Sequence, residues 1–282
     1  MSDDFFISEG NAGDPMRTGG EDGIRLPFSA PLLSWRNGNA ALSDLGDENP
    51  KYTGGWEMSK ESWEKVKADV PPLPALFKLY ALRGKETYDA FLAKQIVIFP
   101  VGLRERALMK LDGRDVPVKR FTKGSRQHIQ MLAYLATVTD GGGFKPWGPV
   151  VLSAKSNSAM FVKQCFEDFK ELAKKELDNI RVPYHRFWLR IGTPIPPKFV
   201  TVGKGGDTSD VTPCYLMSPQ GGWTLDALKH AYIGADMIAK AGELQMLADA
   251  WLNDKQWVLG TQAAPAVNNP LNLDDEPEFM RG

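Results

Sequence analysis

Apolar residues recur between Ser158 and Leu177 at spacings of three and four. Phe161, Val162, Cys165, Phe166, Phe169, Leu172, Ala173 and Leu177 share one side, with Lys163, Asp168, Lys170, Glu171, Lys174 and Lys175 elsewhere. The stripe predicts a core-packed helix in which Cys165 is a small buried hydrophobe. Before it the pattern is that of strands. Lys94 to Leu111 reads as two strands, or one long strand broken near Pro100-Val101-Gly102, with Arg104, Arg106 and Leu108 alternating. Asp112 to Asp115 has hairpin-turn chemistry, Val116 to Phe121 is a short strand, and Ile129 to Thr139 and Pro149 to Ser153 are further strands around a Gly-rich loop at 140–148. After the helix come a strand at 184–191, a strand at 198–202 and its hairpin partner at 211–217. Thr224 then N-caps a helical region running to about Trp257.

The segment 184–191 carries the most chemistry. A period of two places His185, Phe187, Leu189 and Ile191 in one row and Tyr184, Arg186, Trp188 and Arg190 in the other. The first row suits a core; the second would display two cations among two aromatic rings, on which bases stack and with which phosphates pair. Buried rings under arginine lids are the structural alternative. Two loops add similar residues: Lys119, Arg120, Lys123 and Arg126, then Phe144, Lys145 and Trp147.

Five regions follow from the pattern. Residues 1–25 form an acidic, Gly- and Asn-rich arm, and residues 26–93 an irregular N-terminal extension with short helical stretches near Ser59 and over Glu86 to Ala93. Residues 94–218 form the main domain, residues 219–260 a C-terminal helical region, and residues 261–282 an acidic tail. The net charge of −1 conceals their contrast. Residues 1–23 balance at −5 and residues 261–282 at −3, which leaves +7 on the body. A basic body between acidic ends suits a polyanion-binding domain whose tails compete for its groove.

Several function classes lack support. Two cysteines and three dispersed histidines offer neither a disulfide framework nor a zinc set, and no cofactor is expected. Gly203 to Ser209 lacks phosphate-loop spacing and reads as a turn, and no nucleophile elbow appears, so no enzyme is expected. A metal-dependent nuclease would need a pair such as Asp207 and Asp210. The chain has no membrane-spanning run or secretory signal, so a cytoplasmic location is expected.

From Lys94 the order is strand, strand, strand, helix, strand, strand. Over residues 94–218 this resembles the OB-fold, a five-stranded Greek-key barrel that binds single-stranded nucleic acid. The fold class expected is therefore α+β, with an OB-like five-stranded barrel core. Leu273 to Phe279 resembles the acidic, Phe-bearing tail of bacterial-type single-stranded DNA-binding proteins. In those proteins the aromatic residue is the last one, whereas here Met280, Arg281 and Gly282 follow. The resemblance implies a single-stranded DNA-binding protein of replication or recombination, in a phage or mobile element. Tyr184 and Trp188 would stack bases. Arg186, Arg190 and the loop cations would pair phosphates, and Asp274, Asp275, Glu276, Glu278 and Phe279 would meet replication or recombination proteins. The other reading is an assembly subunit whose Trp-rich surface binds protein. A homo-oligomer stays open, although the C-terminal region shows no convincing heptad.

Overall fold

The computed structural model describes residues 24–83, 87–111, 114–118, 122–177, 183–204, 207–254 and 257. The N-terminal part contributes β1 (Leu32–Arg36), α1 (Pro50–Thr53), β2 (Gly55–Ser59), α2 (Lys60–Val66), β3 (Lys78–Arg83) and β4 (Thr87–Ala93). The middle holds β5 (Gln95–Leu111), β6 (Arg114–Val118), β7 (Arg126–Val138), β8 (Phe144–Lys155) and α3 (Ser156–Glu176). Then come β9 (Leu189–Gly192), β10 (Val200–Lys204), β11 (Asp207–Val211), β12 (Tyr215–Leu216), α4 (Leu225–Ala231), α5 (Gly234–Leu247) and α6 (Asp249–Leu252). The protein is thus α+β.

Ten strands join one sheet in the order β12-β9-β5-β7-β8-β1-β2-β4-β3, with β6 also paired to β5; β10 and β11 form a separate hairpin. The sheet is twice the size of the expected five-stranded one, because the N-terminal segment is not an appendage. Its β1 pairs in parallel with β8 (Leu33 opposite Leu152), and β2, β4 and β3 follow outward. The helix expected near Ser59 forms as α2, capped by the Ser59 side chain. The one expected over Glu86 to Ala93 is instead β4. There Ala90 and Leu92 are buried at a period of two, and pairing on both sides by β2 and β3 overrides local preference.

β5 is a single strand of 17 residues, with its register shifted between Pro100 and Gly102. Its run Ile96–Phe99 is continuously apolar because both faces are covered. Ile96 and Ile98 enter an inner core with Leu33, Trp56, Met131 and Leu152, against which α3 lays Val162, Cys165, Phe166, Phe169 and Ala173. Leu172, placed on that stripe by spacing, is 37% exposed. Val97 and Phe99 face the other way, into an outer core with Leu132, Val151, Trp188 and the α5–α6 residues Met237, Ala241, Leu244 and Trp251.

The expected C-terminal helical region is divided. Thr224 caps α4 by accepting from the Ala227 N–H, as its position suggested. Tyr232 then turns extended to bridge Phe187, and Gly234 at φ +77 starts α5 in the left-handed region that glycine enters without cost. The hairpin partner of β10 is β11, whereas Tyr215 and Leu216 pair with β9.

Side-chain bonds link the end of β1 to the segment leading into β12. The Trp35 indole N–H donates to the Thr212 carbonyl (3.1 Å), and the Gly38 N–H donates to the Thr212 hydroxyl (2.6 Å). Thr212 is fully buried. Thr212→Val keeps the shape but strands the Gly38 N–H, and is expected to cost about 1–3 kcal/mol in urea unfolding. A cost within error of zero would show that the contact does not hold the two segments together.

Candidate nucleic-acid interface

The strand expected at 184–191 exists only in its second half. Tyr184–Arg186 is a 3-10 turn, Phe187 makes a single bridge, and β9 begins at Leu189. The two rows are nonetheless real. Phe187, Leu189 and Ile191 enter the inner core, and Trp188 and Arg190 point to the opposite face. That face is not open. Trp188 is 4% exposed, with its ring 4.9 Å from Phe99 and 6.3 Å from Phe144, and its backbone N–H donates to the Ala231 carbonyl (2.7 Å). Arg186 is buried at 1%, and Tyr184 lies against Phe166 of α3 (5.1 Å) beneath the Lys170 ammonium. A display of Tyr184, Arg186 and Trp188 to bases is therefore corrected: Tyr184 packs on α3, Arg186 is buried, and Trp188 lies in the outer core with Met237, Ala241 and Leu244 of α5.

The other candidates scatter to two ends of the sheet. At one end Arg190 is exposed and lines a groove of about 330 Å³ with Pro74, Leu76, Gln95, Val97 and Ala136. Exposed Lys145 pairs with Thr137 along the neighbouring β7–β8 ladder. Phe144 and Trp147 belong to β8 and not to a loop. Phe144 packs between Trp188 and His230 (5.5 Å), and the Trp147 indole N–H donates to the Pro72 carbonyl (2.8 Å). At the other end Lys123 is exposed in the turn before β7, and Arg126 pairs with Asp115, which also holds Lys155 at 3.3 Å. Lys119, Arg120 and the tail positions Asp274, Asp275, Glu276, Glu278 and Phe279 lie outside the described residues.

Between these ends the register assembles a cluster that the sequence reading did not single out. On the outer face, Arg104, Gln130 and Ser153 form one cross-strand row of β5, β7 and β8, and Arg106, His128 and Lys155 form the next. Arg104 is 1% exposed; its guanidinium donates to Gln130 Oε1 (2.6 and 3.0 Å) and to the Trp251 carbonyl (2.9 Å). Its carbon lies 3.7 Å from the Trp251 ring and 4.2 Å from that of Trp257. Arg106 lies 4.4 Å from the same Trp257 ring. Burial lowers the pKa of both arginines, opposed chiefly by Asp254 at Arg104 and by Asp115 at Arg106. Lys155 is lowered by burial too, with Asp115 acting against it.

His128 is set by its neighbours. Arg106 Nε can only donate, so Nδ1 must accept (3.2 Å), which leaves the proton on Nε2 to be donated to Ser153 Oγ (3.0 Å). Burial holds its pKa well below the ordinary value, and Arg106, Lys155 and Arg104 add to the shift. The histidine is neutral at physiological pH. The two guanidiniums and the neutral imidazole lie beneath the Trp251 and Trp257 rings, with Arg104 and His128 buried.

No family model, curated protein or solved structure matches the chain. Among the described residues no group of His, Cys, Asp or Glu is placed to hold a metal ion, and no helix is long and apolar enough to cross a membrane.

Two outcomes follow. Trp188→Ala is expected to lose about 3–5 kcal/mol of stability, as truncation of a buried tryptophan does, and a variant as stable as the parent in urea would refute its place in the core. The folded-state pKa of His128 is depressed, so the unfolded chain binds the extra proton as pH falls below about 6.5, and stability drops by at most about 1.4 kcal/mol per pH unit. His128→Gln is expected to remove that share of the loss. Parallel stability profiles for parent and variant between pH 7.5 and 5 would contradict it.

Proposed function

We propose that this protein binds single-stranded DNA along the outer face of β5, β7 and β8, and that its core is an OB-type barrel enlarged by one inserted strand. The topology supports the barrel. β5, β7 and β8 form an antiparallel meander, α3 follows the third strand, β9 returns antiparallel to β5, and β12 pairs antiparallel with β9. In an OB barrel the fifth strand would lie parallel to the third. Here β1 takes that place beside β8.

The observation that carries the functional reading is the pair of cross-strand rows, Arg104–Gln130–Ser153 and Arg106–His128–Lys155, on the face and strands that OB-folds use for oligonucleotides. These rows are largely buried, and the solvent-facing cations are Lys123 and half-buried Arg126 at this end and Arg190 and Lys145 at the other. Phosphates of one strand would run between them, with affinity falling as salt rises through counterion release. No catalytic step is assigned, and a cytoplasmic setting in DNA replication or recombination suits the activity. The acidic tail would compete for the same surface or recruit partner proteins.

A second reading, an assembly subunit, draws on one feature. Met246 and Leu247, adjacent at the end of α5, are 73% and 61% exposed. An interface built there would tolerate salt that a phosphate-binding face does not.

The test is a fluorescence titration of the full chain with a dT oligonucleotide and with duplex of equal length, at low and moderate salt. Preferential binding of dT, weakened by salt, is expected. The double variant Lys123→Ala, Arg190→Ala should weaken it severalfold and reduce the salt slope by about one to two. A parent protein indifferent to dT at low salt would exclude the activity.

A further inference from the structure

The cationic rows have a cover of unusual chemistry. Trp251 stacks on Arg104 from one side, and Trp257 spans Arg104 and Arg106 with its ring 5.2 Å from His128. Beside the rings stands Asp254, whose Oδ2 lies 4.0 Å from Arg104 Nη1. Its Oδ1 accepts the Trp257 backbone N–H (3.2 Å) and its Oδ2 the Ile24 backbone N–H (2.8 Å). A flat aromatic ring on guanidinium planes, with one anionic group next to it, is what a nucleotide presents: a base and its phosphate. The element holding these groups is small. α6 has four residues, and its Leu252 lies over Gly102 of β5, where an added Cβ would stand 2.7 Å from the leucine methyl carbon.

We propose that Arg104, Arg106 and His128 form a nucleotide subsite of the outer face, that Trp257 and Asp254 occupy it as internal stand-ins for a base and a phosphate, and that single-stranded DNA enters by displacing them. The inference rests on the DNA-binding reading above. Trp251, whose carbonyl and ring both hold Arg104, remains in place and keeps that guanidinium positioned for an incoming base. Displacing Asp254 frees two chain segments together, since it bonds both Ile24 and Trp257. Because the closed cover holds back a competent surface, affinity in the parent is reduced by the fraction of molecules that are open.

The experiment uses the full chain with a dT oligonucleotide and reads both affinity and amide hydrogen exchange. Trp257→Leu, which keeps an apolar cover but loses the cation–π stack, is expected to bind dT about tenfold tighter than the parent. Asp254→Asn, which keeps an acceptor for a backbone N–H but loses the charge, should also tighten binding and decides the matter if the first variant does not fold. In the parent, saturating dT should speed exchange at Leu252, Asn253 and Trp257. If the parent binds dT while the folded variants bind no tighter and exchange over 252–257 is unchanged or slowed, the cover is merely structural and the subsite is refuted, with the DNA-binding reading intact. If neither parent nor variants bind dT, both fall.

Discussion

Burial of β5, β7 and β8 on both faces is the constraint from which the remaining structure follows. A strand that carries Ile96 and Ile98 to one side and Val97 and Phe99 to the other needs two covering layers. α3 supplies the inner one. The outer one comes from the C-terminal part of the chain, as α5 and α6, together with the 24–30 segment that places Leu26 and Ala30 in the same core. The C-terminal helices are therefore a structural layer of the sheet, and their docking takes Trp188 out of solvent.

The outer layer does not end where apolar residues end. Along β5 the outward positions pass from Val97 and Phe99 to Arg104 and Arg106, and the covering chain changes with them, from Met237 and Leu244 to Trp251, Asp254 and Trp257. Buried arginines need either charge or polarisable surface around them. Here Arg104 has the Asp254 carboxylate, the Gln130 amide oxygen and two indole faces beside it, and Arg106 has the Trp257 ring with Asp115 and Asp254 as its attracting charges. Cation–π contact leaves the guanidinium able to exchange one flat partner for another. A tightly paired carboxylate would bind it more permanently, as Asp115 does Arg126 and Lys155 nearby.

β1 stands in parallel beside β8 and joins the N-terminal strands to the middle of the sheet. The segment from Trp35 to Gly38 reaches Thr212, so the region before β9 and the region after it meet through the N-terminal chain. Strands β2 to β4 extend the sheet from there, with Trp56 fully buried against Trp35 at a ring separation of 5.2 Å. What reads as an irregular extension is thus the joint on which the curled sheet depends.

Local pattern by itself determined the strand run over 95–111, the break near Pro100, the amphipathic helix α3, the Thr224 cap and the division of 187–191 into two rows, because each depends on periodicity or on short-range hydrogen bonding. It missed β4, where Thr87–Ala93 is held by partners on both sides and not by its own preference. It also left open whether the Trp188 row meets water. The unbroken apolar run Phe187–Leu189 is the one local sign of double coverage, since a strand with a wet face would alternate. Tertiary structure alone decided the cationic site. Arg104 and Arg106 alternate visibly in the sequence, but His128, Lys155 and Trp257 join them only through cross-strand register and the return of a chain end some 150 residues away (Arg104 to Trp251, a separation of 147). Pairing across a sheet is set by the match of whole strands and layers, and no local spacing encodes it.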